Sequence, residues 1–493
     1  MQTNKTQPKP LIVKTKTTLK RNKENMSEHP TIFWHDYETF GANPAKDRPS
    51  QFAGVRTDLD LNIIGEPETF YCKLANDYLP SPEAILITGI TPQLANLKGM
   101  PEAEFMDKIN GLFSQPKTCV VGYNSLRFDD EVSRYGFYRN FIDPYAREWQ
   151  NGNTRWDIID LVRACYAFRP EGINWPEKED GSPSFKLEQL TVANGLSHEK
   201  AHDAMSDVYA TIDMAKLIKT VQPKLFDYYF SLRQKQQVSK LIDVLEMKPL
   251  VHVSSKISAL NGCTTIIAPV AYHSTNKNAV ICVNLAMDVT PLIELSVEEI
   301  RERMYTRRSD LAPDELPIGL KQVHINKSPF IAAANTLTDE NAARLDFDKA
   351  FAREQFRKLK QHPELREKLV AVFDVEHDSK AVDPDQALYS GGFFSSADKA
   401  KIEIIRNTKP SNLAALELDF DDSRLAEMLF RYRARNYPET LDDSEQYRWR
   451  EFCQTRLNDP DYIIRLENLL EETEQDESKQ KLLQALCHYL RNL

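Results

Sequence analysis

The spacing of hydrophobic and polar residues changes twice along the chain, and each change predicts a different kind of domain. From about 31 to 220, strand-like apolar runs alternate with segments of helical periodicity. The apolar runs are "TIFWH", "QFAGVRTD", "TFYCKL" and "TCVVGY". Such alternation predicts an α/β domain built around a mixed sheet.

Short β-rich runs follow from about 222 to 372. They include "PLVHVS", "TTIIAPVAY" and "NAVICVNL", are separated by turn residues, and precede a lysine-rich helical segment, "FDKAFAREQFRKLKQ". This pattern predicts a compact β-barrel-like module with added helices.

Beyond the polar stretch "DVEHDSKAVDPDQ", apolar residues recur at three and four positions in "SRLAEMLFRYRARN", "SEQYRWREFCQTRLN" and "KQKLLQALCHYLRNL". We therefore predict a helical third domain. The predicted boundaries are a disordered basic tail at 1–29, an α/β domain at 30–221, a barrel-like domain at 222–372, a linker at 373–384 and a helical domain at 385–493.

Composition narrows the protein class. The 493 residues are 41% hydrophobic, as in globular proteins, and no run of eighteen apolar residues predicts a membrane span. Seven scattered cysteines without a CxxC pair indicate reduced thiols and a cytoplasmic protein. The net charge of -10 gives no global sign of nucleic-acid binding, so such binding would need a local concentration of basic residues.

Candidate chemistry begins in "TIFWHDYETFG", where Asp36 and Glu38 follow an apolar run. Residues two apart on a strand share a face, so the two carboxylates would project side by side, away from Tyr37. Carboxylates this close repel each other unless a cation lies between them, and oxygen ligands suit Mg²⁺ or Mn²⁺. An edge strand with solvent-facing acids is the alternative interpretation.

Further acids occur at predicted helix starts. Asp129 and Asp130 open a helix after the strand "CVVGY", and Asp207 lies in the first turns of another helix, just after His202. Taken singly, an aspartate at a helix start is more often an N-cap, and a lone histidine is more often a surface residue.

Together, Asp36, Glu38, Asp129, His202 and Asp207 resemble in order and spacing the DEDDh exonucleases, 3′–5′ nucleases of the ribonuclease H-like fold. The strings "HDYETFG", "DRPSQFAGVRTD", "GYNSLRFDDE", "CYAFRPEGINWP" and "AHDAMSDVYATI" are similar to the bacterial exodeoxyribonuclease I family. The strings "MKPLVHVS", "VHINKSP" and "YRARNYPETL" extend this resemblance beyond the first domain. It covers nearly everything except the N-terminal tail.

The resemblance implies a fold and an activity. The fold is a ribonuclease H-like domain, an SH3-like barrel and a helical C-terminal domain that together enclose a strand. The activity is processive 3′ to 5′ hydrolysis of single-stranded DNA to 5′-mononucleotides, by a monomer, in DNA repair and recombination. The catalytic residues are Asp36, Glu38, Asp129 and Asp207, as ligands of two Mg²⁺ or Mn²⁺ ions, and His202, as general base.

The resemblance also implies binding residues. The DNA contacts, with Glu38 near the 3′ hydroxyl, are Arg134, Tyr145, Trp149, Arg163, Phe185, Lys186, Lys235, Asn278, Lys321 and His324. Lys186 stands where a relative carries arginine; lysine keeps the positive charge but lacks the bidentate fork of the guanidinium. The site for the acidic, phenylalanine-ending tail of single-stranded DNA-binding protein comprises Arg169, Tyr228, Lys248 and Lys360.

Three nearby acids receive a structural interpretation: for Asp47, Asp130 and Asp203 we favour a helix cap or a solvated loop. Two other functions remain open. One is an RNA-degrading relative such as oligoribonuclease or ribonuclease T, although those proteins have a single domain. The other is a non-catalytic nucleic-acid-binding scaffold, which the five intact catalytic positions disfavour.

Overall fold

The computed structural model describes residues 29–196, 203–313, 315–375 and 382–493. The predicted basic tail therefore lies almost wholly outside the described residues. The strands are β1 (Thr31–Thr39), β2 (Pro49–Thr57), β3 (Glu68–Tyr71), β4 (Thr118–Gly122), β5 (Thr154–Asp157), β6 (Leu250–Val253), β7 (Thr264–Tyr272), β8 (Ala279–Asn284), β9 (Leu320–His324) and β10 (Phe330–Ala333).

The α-helices divide between the same regions. In the first 221 residues they are α1 (Pro82–Thr88), α2 (Pro92–Lys98), α3 (Glu102–Phe113), α4 (Asp129–Arg139), α5 (Ile159–Phe168), α6 (Leu187–Ala193) and α7 (Ala204–Val221). Around the second sheet they are α8 (Pro223–Ser231), α9 (Lys235–Leu241), α10 (Thr290–Glu294), α11 (Val297–Tyr305), α12 (Asp339–Arg344), α13 (Lys349–Lys360) and α14 (Leu365–Phe373). The last are α15 (Ser396–Asn407), α16 (Arg424–Asn436), α17 (Asp443–Leu457), α18 (Pro460–Glu472) and α19 (Glu477–Leu490).

The first sheet is mixed, as the alternating pattern predicted. In the described residues its strand order is β3-β2-β1-β4-β5, antiparallel from β3 to β1 and parallel from β1 to β5. Ile32, Phe33 and Trp34 of β1 are buried, because helices cover both faces of this central strand. The carboxyl ends of β1, β4 and β5 therefore meet at one edge, which is where α/β domains place ligands.

The second sheet is antiparallel throughout the described region, in the order β10-β6-β7-β8-β9. The three predicted runs of this region correspond to β6, β7 and β8. Helix α14 packs on β7, and α5 of the first domain packs on β6 and β10. The first domain and the second sheet therefore share a core, which includes stacked Phe168 and Phe330.

The C-terminal region is helical, as predicted. Helix α16 packs against α3, whereas α19 packs against α1 and α2. The chain thus returns to the first domain at two places. No helix among the described residues is long and apolar enough to cross a membrane.

Candidate active site

Strand β1 presents Asp36 and Glu38 on one face, as its alternation predicted. Tyr37 points the other way into an aromatic cluster, with its ring centroid 5.0 Å from that of Phe52 and its hydroxyl 2.9 Å from Ser133 Oγ. The edge-strand alternative is wrong, because β1 lies between β2 and β4 and Glu38 is only 7% exposed.

Helix α7 brings a third carboxylate to this face. Asp203 is its N-cap and accepts the backbone N–H of Ser206 at 3.2 Å, so Asp207 falls in the first turn. Carboxylate oxygens of Asp36, Glu38 and Asp207 lie within 4.8 Å of one another. A spacing this small allows one hard cation to contact all three.

Asp129 adds a fourth carboxylate, and with the other three it forms what we call the acid cluster. It is the first residue of α4, and its Oδ1 accepts the backbone N–H of Tyr37 at 3.1 Å. Asp36, Asp129 and Asp207 line one cavity of about 470 Å³. Strand β4 ends just before this helix, which explains how residues distant in sequence meet here.

The acid cluster is electrostatically strained. Burial, reinforced by Asp129 and Glu38, raises the pKa of Asp36 well above its ordinary value. Burial and Asp207 raise the pKa of Glu38 to about 8, and burial raises that of Asp129 to about 8. No ion pair to lysine or arginine relieves Asp36, Glu38 or Asp129 within the described residues. An all-oxygen set of this kind fits a divalent cation, which would stabilise the ionised forms.

Asp130, next in sequence, has a different environment, and its assignment as a cap or a solvated residue is wrong. Its carboxylate is 2% exposed and accepts from Arg147 Nη2 at 2.5 Å and Arg155 Nη1 at 2.8 Å. Although burial alone would raise its pKa, these arginines lower it below its ordinary value. Asp130 is thus an internal counter-ion that anchors the start of α4.

The structural interpretations of Asp203 and Asp47 agree with their positions in the fold. Asp203 is a helix cap, as predicted. Asp47 lies in a partly buried loop, where it accepts the backbone N–H of Asn43 at 2.7 Å and the hydroxyl of Tyr78 at 2.8 Å. His202 lies outside the described residues, so its role stays a prediction.

Phe185 and Lys186 line the same cavity as the acid cluster. Phe185 is buried, whereas Lys186 is exposed and only 3.8 Å from Glu188. An apolar ring and an exposed ammonium group beside four carboxylates suit a nucleotide, which has a flat base and a phosphate.

A second cavity, of about 590 Å³, lies between the first domain and the second sheet. Arg163, Lys321 and His324 line it, and burial lowers the pKa of Lys321 to about 8. Lys235 donates to Asn278 at 2.5 Å, and the Asn278 carbonyl accepts the N–H that follows β9. Three of the five predicted contacts therefore share one cavity, and the other two, Lys235 and Asn278, lie near the end of β9.

Arg134, Tyr145 and Trp149 form a third group. Arg134 is buried: it donates to both carboxylate oxygens of Glu148 and to Glu131, and its guanidinium lies 5.2 Å from the Tyr145 ring centroid. Trp149 is 66% exposed. The described geometry gives Arg134 a role in orienting Tyr145, and direct DNA contact by its guanidinium stays a prediction.

A separate apolar cavity of about 610 Å³ contains two of the four residues predicted for the acidic tail. Arg169 and Tyr228 line it together with Phe168 and Phe330. Lys360 instead lies 3.1 Å from Glu246, and in the described region neither it nor Lys248 lines this cavity.

The sequence analysis missed three buried charged residues that build the site. Arg147 and Arg155 hold Asp130, and Asp157 at the end of β5 accepts the backbone N–H of Asn124 at 2.8 Å. Burial raises the pKa of Asp157 to about 7. Strand β5, which ends at Asp157, is too short to be recognised from periodicity, and nothing in local periodicity marks the two arginines as buried.

Comparisons with known proteins agree with this geometry. Three family models match: "Exonuclease" over 33–215, "Exonuclease I SH3-like domain" over 233–375 and "Exonuclease I C-terminal domain" over 382–493. Exodeoxyribonuclease I of Escherichia coli (strain K12) is 53% identical over 471 residues, which cover 94% of this chain and 98% of that protein. The Haemophilus influenzae protein of the same name is 49% identical, over 93% of this chain and 98% of its own length.

Solved structures show the same similarity in three dimensions. E. coli exonuclease I in complex with a dA16 oligonucleotide superposes with a TM-score of 0.91 at 53% identity, covering 94% of this chain and 100% of that one. A zinc-bound E. coli complex with single-stranded DNA gives a TM-score of 0.91 at 52% identity, over 94% and 99% of the two chains. An SSB/exonuclease I structure with the inhibitor CFAM gives 0.88 at 51% identity, over 94% and 100%.

The matches run through all three domains, and the nuclease fold carries an acid cluster that fits a divalent metal. The chain is a nuclease built from a mixed-sheet exonuclease domain, an SH3-like domain and a helical C-terminal domain, and it belongs to the exodeoxyribonuclease I family.

Proposed function

We propose that this protein removes 5′-mononucleotides from the 3′ end of single-stranded DNA with the help of two Mg²⁺ ions, and that Mn²⁺ can replace them. The convergence of Asp36, Glu38 and Asp207 within 4.8 Å carries the proposal. Three oxygen donors held this close, with Asp129 beside them, are a ligand set for hard divalent cations.

The acid cluster would hold the ions, with Asp36, Glu38 and Asp207 as principal ligands and Asp129 completing the set. When bound, a pair of such ions activates a water and stabilises charge on the attacking and leaving oxygens of the phosphodiester. The backbone N–H of Tyr37 donates to Oδ1 of Asp129 and so orients this carboxylate, which lines the cavity.

His202 would act as the general base. An imidazole titrates near neutrality and can therefore accept the proton of the attacking water. His202 immediately precedes Asp203, the N-cap of α7, so it belongs to the segment that leads into the helix of Asp207.

The terminal nucleotide would lie in the cavity lined by Phe185 and Lys186, with Glu38 near the 3′ hydroxyl. The ring of Phe185 offers a stacking face, and Lys186 offers a cation to phosphate. A strand whose 3′ end occupies this cavity presents its last phosphodiester to the acid cluster, which accounts for the 3′ to 5′ direction.

The rest of the strand would follow the cavity between the first domain and the second sheet. We propose that Arg163, Lys321, His324, Lys235 and Asn278 contact it there. The aromatic group of Tyr145 and Trp149, with Arg134 beside them, would bind further bases. Enclosure by the SH3-like and C-terminal domains would keep the strand bound between cleavage steps, and so make the enzyme processive.

We further propose that the acidic C-terminal tail of single-stranded DNA-binding protein docks at Arg169 and Tyr228. The cavity they line is mostly apolar and has a cationic rim, as an acidic peptide ending in phenylalanine requires. Lys248 and Lys360 would act from outside this cavity through longer-range attraction.

The cellular setting belongs to the same proposal. The protein would act in DNA repair and recombination as a cytoplasmic monomer. Its domains would divide at 221/222 and across a linker at 373–384.

The decisive experiment is a timed digestion of 5′-labelled single-stranded DNA, beside duplex DNA and RNA of the same sequence, with Mg²⁺ or EDTA. We expect progressive shortening of the single-stranded DNA with Mg²⁺ alone. Asp36→Asn should abolish it, and His202→Ala should slow it strongly. The exposed Asp60→Asn is the matched control and should digest at the normal rate.

Other outcomes would redirect the proposal. Shortening of RNA in place of DNA would keep the metal site and reject the substrate. DNA binding without any metal-dependent shortening would reject catalysis. For the tail site, a labelled acidic peptide ending in phenylalanine should bind the wild type but not Arg169→Ala, whereas the exposed Arg307→Ala should bind normally.

A further inference from the structure

The start of α4 carries three consecutive carboxylates that face different partners. Asp129 belongs to the acid cluster, Asp130 pairs with Arg147 and Arg155, and Glu131 faces the C-terminal domain. Consecutive residues of a helix lie about 100° apart, so three of them span about 200° around the helix axis and face different neighbours. This first turn has no side-chain N-cap, and its position depends on these partners.

The partner of Glu131 is Tyr389, from the C-terminal domain. The Tyr389 hydroxyl donates to Glu131 Oε2 at 2.5 Å and accepts from Arg134 Nη1 at 2.9 Å. Its ring stands edge-on to that of Tyr135, with centroids 5.7 Å apart. One phenol thus contacts three residues of α4.

The segment around Tyr389 is itself held by the C-terminal domain. Arg424 of α16 donates to the carbonyl of Ala387 at 3.0 Å and to that of Gly391 at 2.8 Å, on either side of Tyr389. Asp385, four residues earlier, is buried and accepts from Arg435 of the same helix at 2.6 Å. Tyr389 therefore extends from a fixed support.

A continuous path of hydrogen bonds and one ion pair leads from Tyr389 to the other side of the α4 turn. Arg134 donates to Glu148, and Glu148 in turn lies 3.2 Å from Arg155 Nε. Arg155 donates to Asp130, the neighbour of Asp129. Charge-assisted bonds of this kind are among the stronger ones in proteins, so the path can couple the position of Tyr389 to that of Asp130.

We propose that Tyr389 is a positioning residue for the nuclease reaction: its hydroxyl ties the C-terminal domain to the first turn of α4 and so holds Asp129 within the acid cluster. The inference rests on the proposed function and deepens it. The domain that encloses the strand would also support the metal site, so that an undocked C-terminal domain would leave the site less active.

The test is Tyr389→Phe, which keeps the ring against Tyr135 and removes only the hydroxyl. Single-turnover cleavage should slow about threefold to tenfold, less than the full value of a hydrogen bond to a charged group, because Tyr389 acts on the acid cluster indirectly. The slowing should be equal for a trinucleotide and a long oligonucleotide, and more Mg²⁺ should be needed for half-maximal rate. Affinity for the long oligonucleotide in EDTA should stay unchanged.

The matched control is Tyr447→Phe. Tyr447 lies in the same domain, and its hydroxyl also donates to a carboxylate, Glu451, at 2.7 Å on the exposed face of α17. This variant should cleave both substrates at the normal rate. A loss of rate equal to that of Tyr389→Phe would contradict the inference.

A double-variant cycle asks whether Tyr389 acts through Glu131. If it does, Glu131→Gln combined with Tyr389→Phe should slow cleavage no more than the worse single variant. If the double variant slows by the product of the two single-variant factors, the inference is overturned. An unchanged cleavage rate in Tyr389→Phe would also overturn it. Slower cleavage of only the long oligonucleotide, with weaker binding in EDTA, would also overturn it, because Tyr389 would then be a DNA contact.

Failure of this inference is distinguishable from failure of the proposed function. If the wild type does not cleave the trinucleotide or the long oligonucleotide with Mg²⁺, the function is wrong. If the wild type cleaves both and Tyr389→Phe matches it, only the positioning role is wrong.

Discussion

Two groups of buried carboxylates in this protein have opposite electrostatics. The acid cluster brings carboxylates together without basic partners for Asp36, Glu38 or Asp129 among the described residues, and burial raises their pKa values. At the contact between the first and C-terminal domains lies a second group, which we call the ion-pair cluster. Its members are Arg48, Asp77, Asp383, Asp385, Arg431 and Arg435.

The ion-pair cluster is as deeply buried but internally neutralised. Arg435 donates to Asp77 at 2.8 Å and to Asp385 at 2.6 Å, and Arg431 donates to Asp385 at 3.0 Å. Burial alone would raise the pKa of Asp77 and Asp385, but Arg435 and the neighbouring arginines together outweigh it and lower the pKa of both. This cluster joins two domains without any further ligand.

The difference separates a structural site from a functional one. When the partners of a buried carboxylate lie within the chain, its charge is compensated as soon as the protein folds. When buried carboxylates repel one another, their charge is compensated only when a cation binds between them. Such groups occur where proteins bind metals or act on substrates. Burial alone does not distinguish the two cases: neighbouring carboxylates help to raise the pKa of Asp36 and Glu38, whereas neighbouring arginines lower that of Asp77 and Asp385.

The largest expected effect is on catalysis. Asp207→Asn should lower the rate of single-stranded DNA cleavage about a thousandfold or more, because a metal ligand contributes several kcal/mol to the transition state. Asp203→Asn is the matched control, since asparagine caps helices as well as aspartate, and its rate should be normal. Time-resolved digestion with Mg²⁺ measures both. Equal losses in the two variants would remove the distinction between ligand and cap.

The next effect is on stability. Asp385→Asn should lower the free energy of unfolding by about 3–5 kcal/mol, because it leaves Arg431 and Arg435 buried with one partner fewer. Denaturant titration measures this, with the exposed Asp443→Asn as control. At a temperature where Asp385→Asn is folded, its cleavage rate should fall by no more than the about threefold to tenfold expected of Tyr389→Phe, because Asp385 helps to hold the segment that carries Tyr389. A thousandfold loss there would show that the ion-pair cluster takes part in catalysis.

Metal binding should stabilise the protein through the acid cluster. At a hundred times its Kd, Mg²⁺ should raise the free energy of unfolding by about 2.7 kcal/mol. Thermal unfolding with and without Mg²⁺ measures the effect. It should vanish in Asp36→Asn and persist in Asp385→Asn. Persistence in Asp36→Asn would locate the stabilising ion elsewhere in the protein.

Per pH unit, the smallest effect is a dependence of stability on pH, which has opposite sign in the two clusters. In EDTA, unfolded Glu38 loses its proton near its ordinary pKa of 4.5, whereas folded Glu38 keeps it to about 8. Between these values the folded state binds more protons, so its stability should fall as pH rises, by up to about 1.4 kcal/mol per unit. Mg²⁺ should remove this slope.

The ion-pair cluster should behave in the reverse way. The pKa of folded Asp385 is lowered below its ordinary value of 3.8, so its contribution is present above that value and is lost as pH falls below it. Thermal unfolding across the pH range, in EDTA and in Mg²⁺, measures both slopes. Stability that rises between mildly acidic and mildly alkaline pH in EDTA would contradict the strained state of Glu38.

Much of the fold followed from local periodicity. The predicted strands correspond to β1 to β4 and to β6, β7 and β8, and the three predicted C-terminal helices correspond to α16, α17 and α19. The short strand β5 was not predicted from periodicity, because "TRWD" is polar at one end and only four residues long. Its burial depends on pairing with β4, which local sequence does not specify.

Local sequence patterns were enough to predict that Asp36 and Glu38 share a face, that Asp129 begins a helix and that Asp207 lies in the first turns of another. These are consequences of strand and helix geometry, which repeat over two to four residues. Local sequence does not specify that Asp130 faces Arg147 and Arg155 while Asp129 belongs to the acid cluster; both follow from the folded arrangement. The roles of adjacent aspartates depend on charges a few Å away, and those charges arrive from distant parts of the chain through folding.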